Sequence, residues 1–261
     1  MKLSSGFRKV LIVVFACVLV MPTLQAQDKN NLFLGEQELF KASKNTSTVT
    51  VDGKMDEASW KETEVRALDF FYNIEQASDQ QNTSFRMMWD DENLYVFFDC
   101  KDQYITARET KRDGAPYFDD CAEIFLIPAP DSLNMHFGFE LNLYKTANDF
   151  IYLNNMNKGE NAVIKGYNPD YKTAVSIQGT VNDNSDIDTG WCMEMAIPLS
   201  VFKGVGYAPI AEGVQWAFLA VRQNRDDAKG DRRSTSTIFS IYDIEKNVHQ
   251  PNRFGLVEFV K

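Results

Sequence analysis

The sequence predicts an all-β protein, an antiparallel β-sandwich of jelly-roll or immunoglobulin-like type with one or two short helices. Three observations predict it. Short segments rich in β-branched and aromatic residues recur at roughly ten-residue spacing, polar turn clusters separate them, and no alternation of strands with long helical stretches is present. The expected strands are Thr48–Val51, Leu68–Asn73, Ser84–Trp89, Leu94–Cys100, Cys121–Ile127, His136–Tyr144, Phe150–Leu153, Thr173–Val181, Trp191–Ile197, Gln215–Gln223, Thr237–Tyr242 and Phe254–Val260. Each qualifies by its density of Val, Ile, Phe, Tyr, Trp or Thr between breakers. Asp90-Asp91-Glu92-Asn93 makes a turn between two aromatic-rich runs, and Asn182 to Gly190 does the same before Trp191. Only Met55–Glu62 and Pro198–Lys203 read as helical, and both are short.

Residues 1–26 combine a basic start (Lys2, Arg8, Lys9), an apolar run from Val10 to Met21, and Leu24 and Ala26 before a cut that would leave Gln27 first. This is the pattern of a secretory signal, so the protein is expected in the periplasm or outside the cell. The apolar run is shorter than the ~20 residues a spanning helix needs, so no membrane insertion is expected after its removal. Lipid attachment at Cys17 is a weaker reading, because the chain stays apolar after that residue. Residues 27–46 are polar and aperiodic apart from Leu32-Phe33-Leu34 and Leu39-Phe40, and read as a loosely attached leader. No repeat, low-complexity tract or Pro/Gly-rich linker divides 47–261, which reads as one domain.

With 44% hydrophobic and 13% aromatic residues the chain can bury a sizeable core, which excludes disordered and collagen-like classes. The net charge is −10; residues 1–26 hold three basic residues and no acid, so the remainder stands at −13. Such a surface repels phosphate backbones and anionic lipid, and nucleic acid is not an expected partner. Beyond residue 26 stand Cys100, Cys121 and Cys192. An odd number in an oxidising compartment allows one bridge at most, between Cys100 and Cys121 if their strands are neighbours; otherwise all three are small buried hydrophobes.

Polar residues where a strand should be apolar are the candidates for function. In His136–Tyr144, Phe137, Phe139, Leu141 and Leu143 share one face, leaving His136, Glu140, Asn142 and Tyr144 on the other. Glu123 shares a face with Cys121, Phe125 and Ile127, and Arg222 with Trp216, Phe218 and Ala220. A charge buried alone is costly, so both need partners; an ion-pair network of Glu123, Glu194 and Arg222 would supply them. The tryptophans Trp60, Trp89, Trp191 and Trp216 sit in or beside apolar runs and read as core. There is no glycine-rich phosphate loop and no serine nucleophile elbow, and His136 and His249 are the only histidines. Asp113, Asp119, Asp120 and Glu123 are candidates for a carboxylate pair or, with Asp186 and Asp188, for Ca²⁺.

Five segments, in order, carry a resemblance. They are Val49-Thr50-Val51-Asp52-Gly53-Lys54-Met55-Asp56-Glu57-Ala58-Ser59-Trp60, Met88-Trp89-Asp90-Asp91-Glu92-Asn93-Leu94-Tyr95-Val96, Asp119-Asp120-Cys121-Ala122-Glu123-Ile124-Phe125, Gly190-Trp191 with Glu194-Met195-Ala196-Ile197-Pro198, and His249-Gln250-Pro251-Asn252-Arg253-Phe254-Gly255. Together they resemble the family 9 carbohydrate-binding module, a Ca²⁺-bearing sandwich of secreted polysaccharide-degrading systems. The resemblance implies a non-catalytic protein that binds a glycan end between two rings, in polysaccharide catabolism, with glycoside hydrolases or envelope proteins as partners. It implies Tyr117 as the first ring, Glu123 as the carboxylate, and Asn142 and Arg222 as further contacts. It also implies a structural metal, with Asp113 and Asp119 as ligands, and no organic cofactor. The second ring should precede His249, where Val248 stands; Tyr242 or His249 would replace it, or the ring is lost.

Three rival readings remain. A DOMON-type haem domain is a similar sandwich and could draw axial ligands from Met87, Met88, Met193 and His249. A glycosidase would need a carboxylate pair, for which Glu123 and Glu140 are the candidates. A sandwich whose sugar site has decayed into a protein-interaction surface would keep the same sequence signals.

Overall fold

Among the described residues the chain crosses and recrosses as fourteen strands: β1 (Leu39–Lys44), β2 (Arg66–Ala67), β3 (Phe70–Asn73), β4 (Thr83–Trp89), β5 (Asn93–Lys101), β6 (Cys121–Ile127), β7 (Met135–Asn142), β8 (Ala147–Asn157), β9 (Glu160–Ile164), β10 (Lys172–Gln178), β11 (Gly190–Pro198), β12 (Gln215–Arg225), β13 (Arg233–Thr237) and β14 (Gly255–Val260). One α-helix, α1 (Ala58–Glu62), and three 3-10 turns complete the elements among those residues. The structure is a computed structural model and describes residues 37–73, 79–130, 135–157, 160–203, 209–241 and 247–261. The expected signal segment and Tyr242 lie outside those residues.

Hydrogen bonding runs in the order β10-β11-β5-β4-β1-β14-β12-β6-β7-β8-β9, with β13 and β3 continuing from β12, and β2 on β4. This path curls over on itself as a sandwich. Phe85 on β4 stacks on Phe218 on β12, 5.9 Å between ring centres, and Phe40 on β1 closes edge-on against both. Alternation sends Ala122, Ile124 and Leu126 of β6 and Phe137, Phe139 and Leu141 of β7 into this core.

The described part of the expected leader is a central strand. β1 pairs in parallel with β14 and with β4, and Phe40 and Ala42 are fully buried, so 39–44 joins the two halves of the sheet. Its short Leu-Phe-Lys-Ala alternation gave too little hydrophobic signal to be distinguished from a tail. These two pairings also make the sheet mixed rather than wholly antiparallel. Thr48–Val51 is extended but joins no ladder; it crosses the outer face of β4, β5 and β11, where Val49, Val51 and Trp60 cover Met88, Tyr95, Phe97 and Ala196. β9 falls in a polar stretch read as a turn, and β13 is a Ser/Thr strand four residues earlier than expected. The second expected helix is a 3-10 turn, Leu199–Phe202. β5 and β6 are not neighbours, and Cys100, Cys121 and Cys192 are all free thiols.

Much of the motif at 49–60 is structural. Glu194, buried on β11, accepts hydrogen bonds from the Asp52 and Gly53 amides, both at 3.0 Å, and from the Trp60 indole at 3.2 Å. Gly53 has φ +80°, and a Cβ there would stand 3.0 Å from the β10 backbone, so no other residue fits the turn without strain. Glu194→Ala should therefore cost about 3 kcal/mol in urea unfolding, since it orphans three donors at once. A loss below about 1 kcal/mol would mean that the crossing segment is held by packing alone.

Candidate functional site

The outer face of the opposite half sheet is not covered in this way. Register sets its composition: Glu123 on β6 lies opposite Glu140 on β7, Glu140 opposite Asn148 on β8, Phe125 opposite Gly138, and Gln223 on β12 opposite Thr235 on β13. By alternation all of these point away from the core. Gly138 is small for a local reason: a Cβ there would come within 2.2 Å of the Phe150 ring, so the glycine lets Phe150 lie across β7.

A cavity of about 340 Å³ opens on this face. Its walls are the rings of Tyr117, Phe150, Tyr152 and His249 with Val248, and its polar floor is Glu123, Glu140, Asn148, Gln223 and Thr235; Lys165 and Arg233 complete the lining. On the floor, Thr235 Oγ1 donates to Gln223 Oε1 at 2.5 Å, and Gln223 Nε2 donates to Glu123 Oε1 at 2.9 Å. Asn148 Nδ2 donates to Glu140 Oε2 at 2.7 Å. Two acceptors, Glu123 Oε2 and Asn148 Oδ1, are buried with no partner among the described residues. Burial pushes the Glu123 carboxyl up to about 7. Burial first, and the neighbouring Glu123 charge second, raise Glu140 well above the usual carboxylate range.

Tyr117 is held by the backbone of its own turn. The 3-10 turn Pro116–Phe118 is anchored through its carbonyls: Arg233 Nη1 donates to Tyr117 O at 3.0 Å, and Arg108 and Arg225 donate to Phe118 O. Asp120 joins the turn to the sheet by accepting from the Thr106 and Arg225 amides. On the far wall, His249 stacks on Tyr152 at 4.3 Å, and its Nδ1 lies 2.9 Å from His136 Nε2. Enclosure among rings lowers both imidazoles, His249 to about 3, so this wall is neutral at physiological pH.

Of the residues expected at a site, Tyr117, Glu123 and His249 line this cavity; Asn142 and Arg222 do not, and Tyr242 lies outside the described residues. Asn142 is a structural clamp: its Nδ2 donates to Glu109 O and Asp119 Oδ2, and its Oδ1 accepts from the Tyr144 and Thr146 amides. Arg222 lies opposite Ala122, one step out of phase with Glu123, and so enters the core, where Asp102 Oδ2 accepts from its Nη2 at 2.9 Å. The expected Glu123–Glu194–Arg222 network is therefore three separate arrangements. The cavity's own amide and guanidinium come from Asn148 and Arg233. Asn148 was detectable, because it alternates with Phe150 and Tyr152; Arg233 was not, because its strand has no apolar alternation.

Of the two carboxylates expected to hold Ca²⁺, Asp113 keeps one buried oxygen without a partner among the described residues, whereas Asp119 is taken up by protein donors. Asp119 accepts from the Arg108 and Glu109 amides, from Arg108 Nε and from Asn142 Nδ2, so donors occupy both its oxygens. Among the described residues no group of three His, Cys, Asp or Glu side chains is placed to hold a metal. Met87 and Met193, considered as haem ligands, are core residues, and Met88 packs under the crossing segment beside Trp60.

A sandwich with a ring-walled cavity on one outer sheet face, floored by buried acceptors in search of donors, is a small-ligand-binding β-module. The chain belongs to the carbohydrate family 9 binding domain-like family, whose model matches residues 51–261. Among solved structures, a family 9 carbohydrate-binding module from Caldicellulosiruptor kristjanssonii in complex with cellotriose is 21% identical, with 85% of this chain and 94% of that one covered and a TM-score of 0.58. The same organism's module in complex with glucose is 20% identical, with 85% and 95% covered and a TM-score of 0.58. A Bacteroides uniformis protein is 16% identical, with 85% and 99% covered and a TM-score of 0.61. At these identities the likeness is one of fold. No curated protein matches the chain.

Proposed function

We propose that this is a non-catalytic carbohydrate-binding protein that takes the end of a glycan into the cavity between Tyr117 and His249, as part of an exported polysaccharide-utilisation system. The observation that carries the reading is Glu123: buried, held on one oxygen by Gln223, and free on the other at the floor of a ring-walled cavity. A pyranose fits that chemistry, because its C–H face packs on a ring while its hydroxyls donate to carboxylate and amide oxygens. Family membership and the Caldicellulosiruptor complexes with cellotriose and glucose support it. The basic and apolar pattern of residues 1–26 supports export.

A glycan array followed by calorimetry on residues 27–261 tests the reading, with Tyr117→Ala as the diagnostic variant. Tyr117 is half-buried, and its turn is anchored by backbone carbonyls rather than by its ring. Its truncation should weaken sugar binding by roughly tenfold or more while moving Tm by no more than about 2–3 °C. A large Tm loss in step with the affinity loss would place the ring in the core instead.

A further inference from the structure

The paired carboxyls on the cavity floor exceed what a neutral sugar requires. Glu123 is 1% exposed and Glu140 4%, and they stand at directly opposed positions of adjacent strands. Side chains so placed have Cβ atoms about 5 Å apart. Each has only a neutral amide as its hydrogen-bond partner, Gln223 for one and Asn148 for the other, and neither is within ion-pair distance of a cation among the described residues. On the same face are the unpartnered acceptors Glu123 Oε2 and Asn148 Oδ1, both on side chains more than nine-tenths buried. The floor thus offers several acceptors and two carboxyls able to take up negative charge, with no ion-paired cation among the described residues.

Resting on the sugar-binding reading of this cavity, we infer that its preferred ligand is an amino sugar, a pyranose carrying a free ammonium group that seats between Glu123 and Glu140. One ammonium presents three donors and a positive charge, enough for Glu123 Oε2, Asn148 Oδ1 and a Glu140 oxygen together. A hydroxyl presents one donor and no charge, which leaves buried acceptors unpaired. An N-acetylated amine lacks the charge, and a uronic acid would add a third carboxylate to the floor. The aromatic walls suit a cation as well as a sugar face.

The charged and titratable groups around the pair are Lys165, Arg233, Asp149, Tyr117, Cys121 and His249. Lys165 is exposed, Arg233 donates to the Tyr117 carbonyl, and Asp149 is held by Arg112 and Tyr171. His249, Tyr117 and Cys121 are neutral near pH 7, by the lowering of the first and the raising of the other two. Without ligand, burial favours the protonated form of both carboxyls, Glu140 and, pushed up to about 7, Glu123. When the ammonium enters, the protons held on Glu140 and Glu123 leave for solvent, and the products are the ammonium–carboxylate contact and the released H⁺.

Calorimetry of the wild-type chain tests this at about pH 6.5, where a sugar amine is mostly charged. Glucosamine, glucose, N-acetylglucosamine and glucuronate are compared in two buffers of different ionisation enthalpy. The expected result is at least tenfold tighter binding of glucosamine than of the other three, with a proton release that glucose does not cause. Glu140→Gln, an isosteric change that keeps an acceptor for Asn148, should bring the glucosamine-to-glucose ratio toward unity and reduce the release to the share that Glu123 supplies. Glucose binding as tightly as glucosamine would overturn the inference and leave the sugar-binding reading standing. Failure of all four sugars and of their short β-1,4-linked oligomers would overturn both.

Discussion

Glu123→Gln is expected to raise stability and sharply weaken sugar binding in the same molecule. The carboxyl is buried with one amide donor, and burial pushes it up to about 7 from the ordinary glutamate value of 4.5. Because the folded state holds this proton more tightly than the unfolded chain does, its stabilising contribution is full below pH 4.5 and is lost as pH rises through about 7. At pH 8 the buried charge then costs on the order of 2–3 kcal/mol. Glutamine keeps the Gln223 contact and removes the charge, and it also relieves Glu140, whose own carboxyl is raised partly by Glu123. The variant should match wild type near pH 4.5 and melt roughly 5–10 °C higher at pH 8. Sugar affinity should fall by about 100-fold, because the strongest acceptor on the floor is gone. Melting curves across pH settle the matter: a difference between the two proteins that does not change with pH would mean that Glu123 is already compensated in the folded state. Sites that keep a costly group for the sake of a ligand are where stability and function oppose each other.

How much of this was legible in the sequence depends on which physical signal each residue carried. Strands with strong apolar alternation, such as Cys121–Ile127, fall where expected, because a strand with one face in the core has little choice of register. β1 and β13 were misplaced or missed because their burial is tertiary: Phe40 is buried by Phe85 and Phe218, and the Arg-Ser-Thr-Ser-Thr strand is buried by pairing on both edges. β9 was missed because it is an exposed edge strand, with Val163 and Ile164 both exposed. The site was legible where a charge interrupted an apolar face, as at Glu123, or where a strand carried a polar face opposite an apolar one, as at Glu140. It was misread where the motif residues turned out to be braces. Asp119 and Asn142 tie a loop to the sheet, and Glu194, expected in an ion-pair network, ties down the crossing segment. Order and spacing identify a family through both kinds of residue, but only the face a side chain occupies separates a brace from a ligand contact.

Arg222 shows that separation most sharply, and Arg222→Ala should be the most destabilising of the changes considered. Its strand neighbours in phase are Trp216, Phe218 and Ala220, all fully buried between the sheets, so alternation commits it to the interior. There its guanidinium spans the sandwich. Nη2 donates to Asp102 Oδ2 at 2.9 Å and to Asn224 Oδ1 at 2.7 Å, Nη1 donates to Thr83 Oγ1 and Lys101 O, and Trp191 lies 5.5 Å away. Asp102 is 1% exposed and would keep only the Trp191 indole and the Tyr104 amide. Asp120, raised by burial and by Asp102, would lose the one nearby charge that opposes that rise. Removing one member of a buried pair costs about 3–5 kcal/mol, because the other is left charged and alone. Tm should therefore fall by roughly 10–15 °C. If the single variant does not accumulate as folded protein, the double variant Asp102→Asn with Arg222→Met removes both charges and should recover at least half of the loss. Affinity per folded molecule should be unchanged in either protein, since Arg222 faces away from the cavity. A folded Arg222→Ala protein with wild-type Tm and no sugar binding would reverse the assignment and make Arg222 a ligand arm.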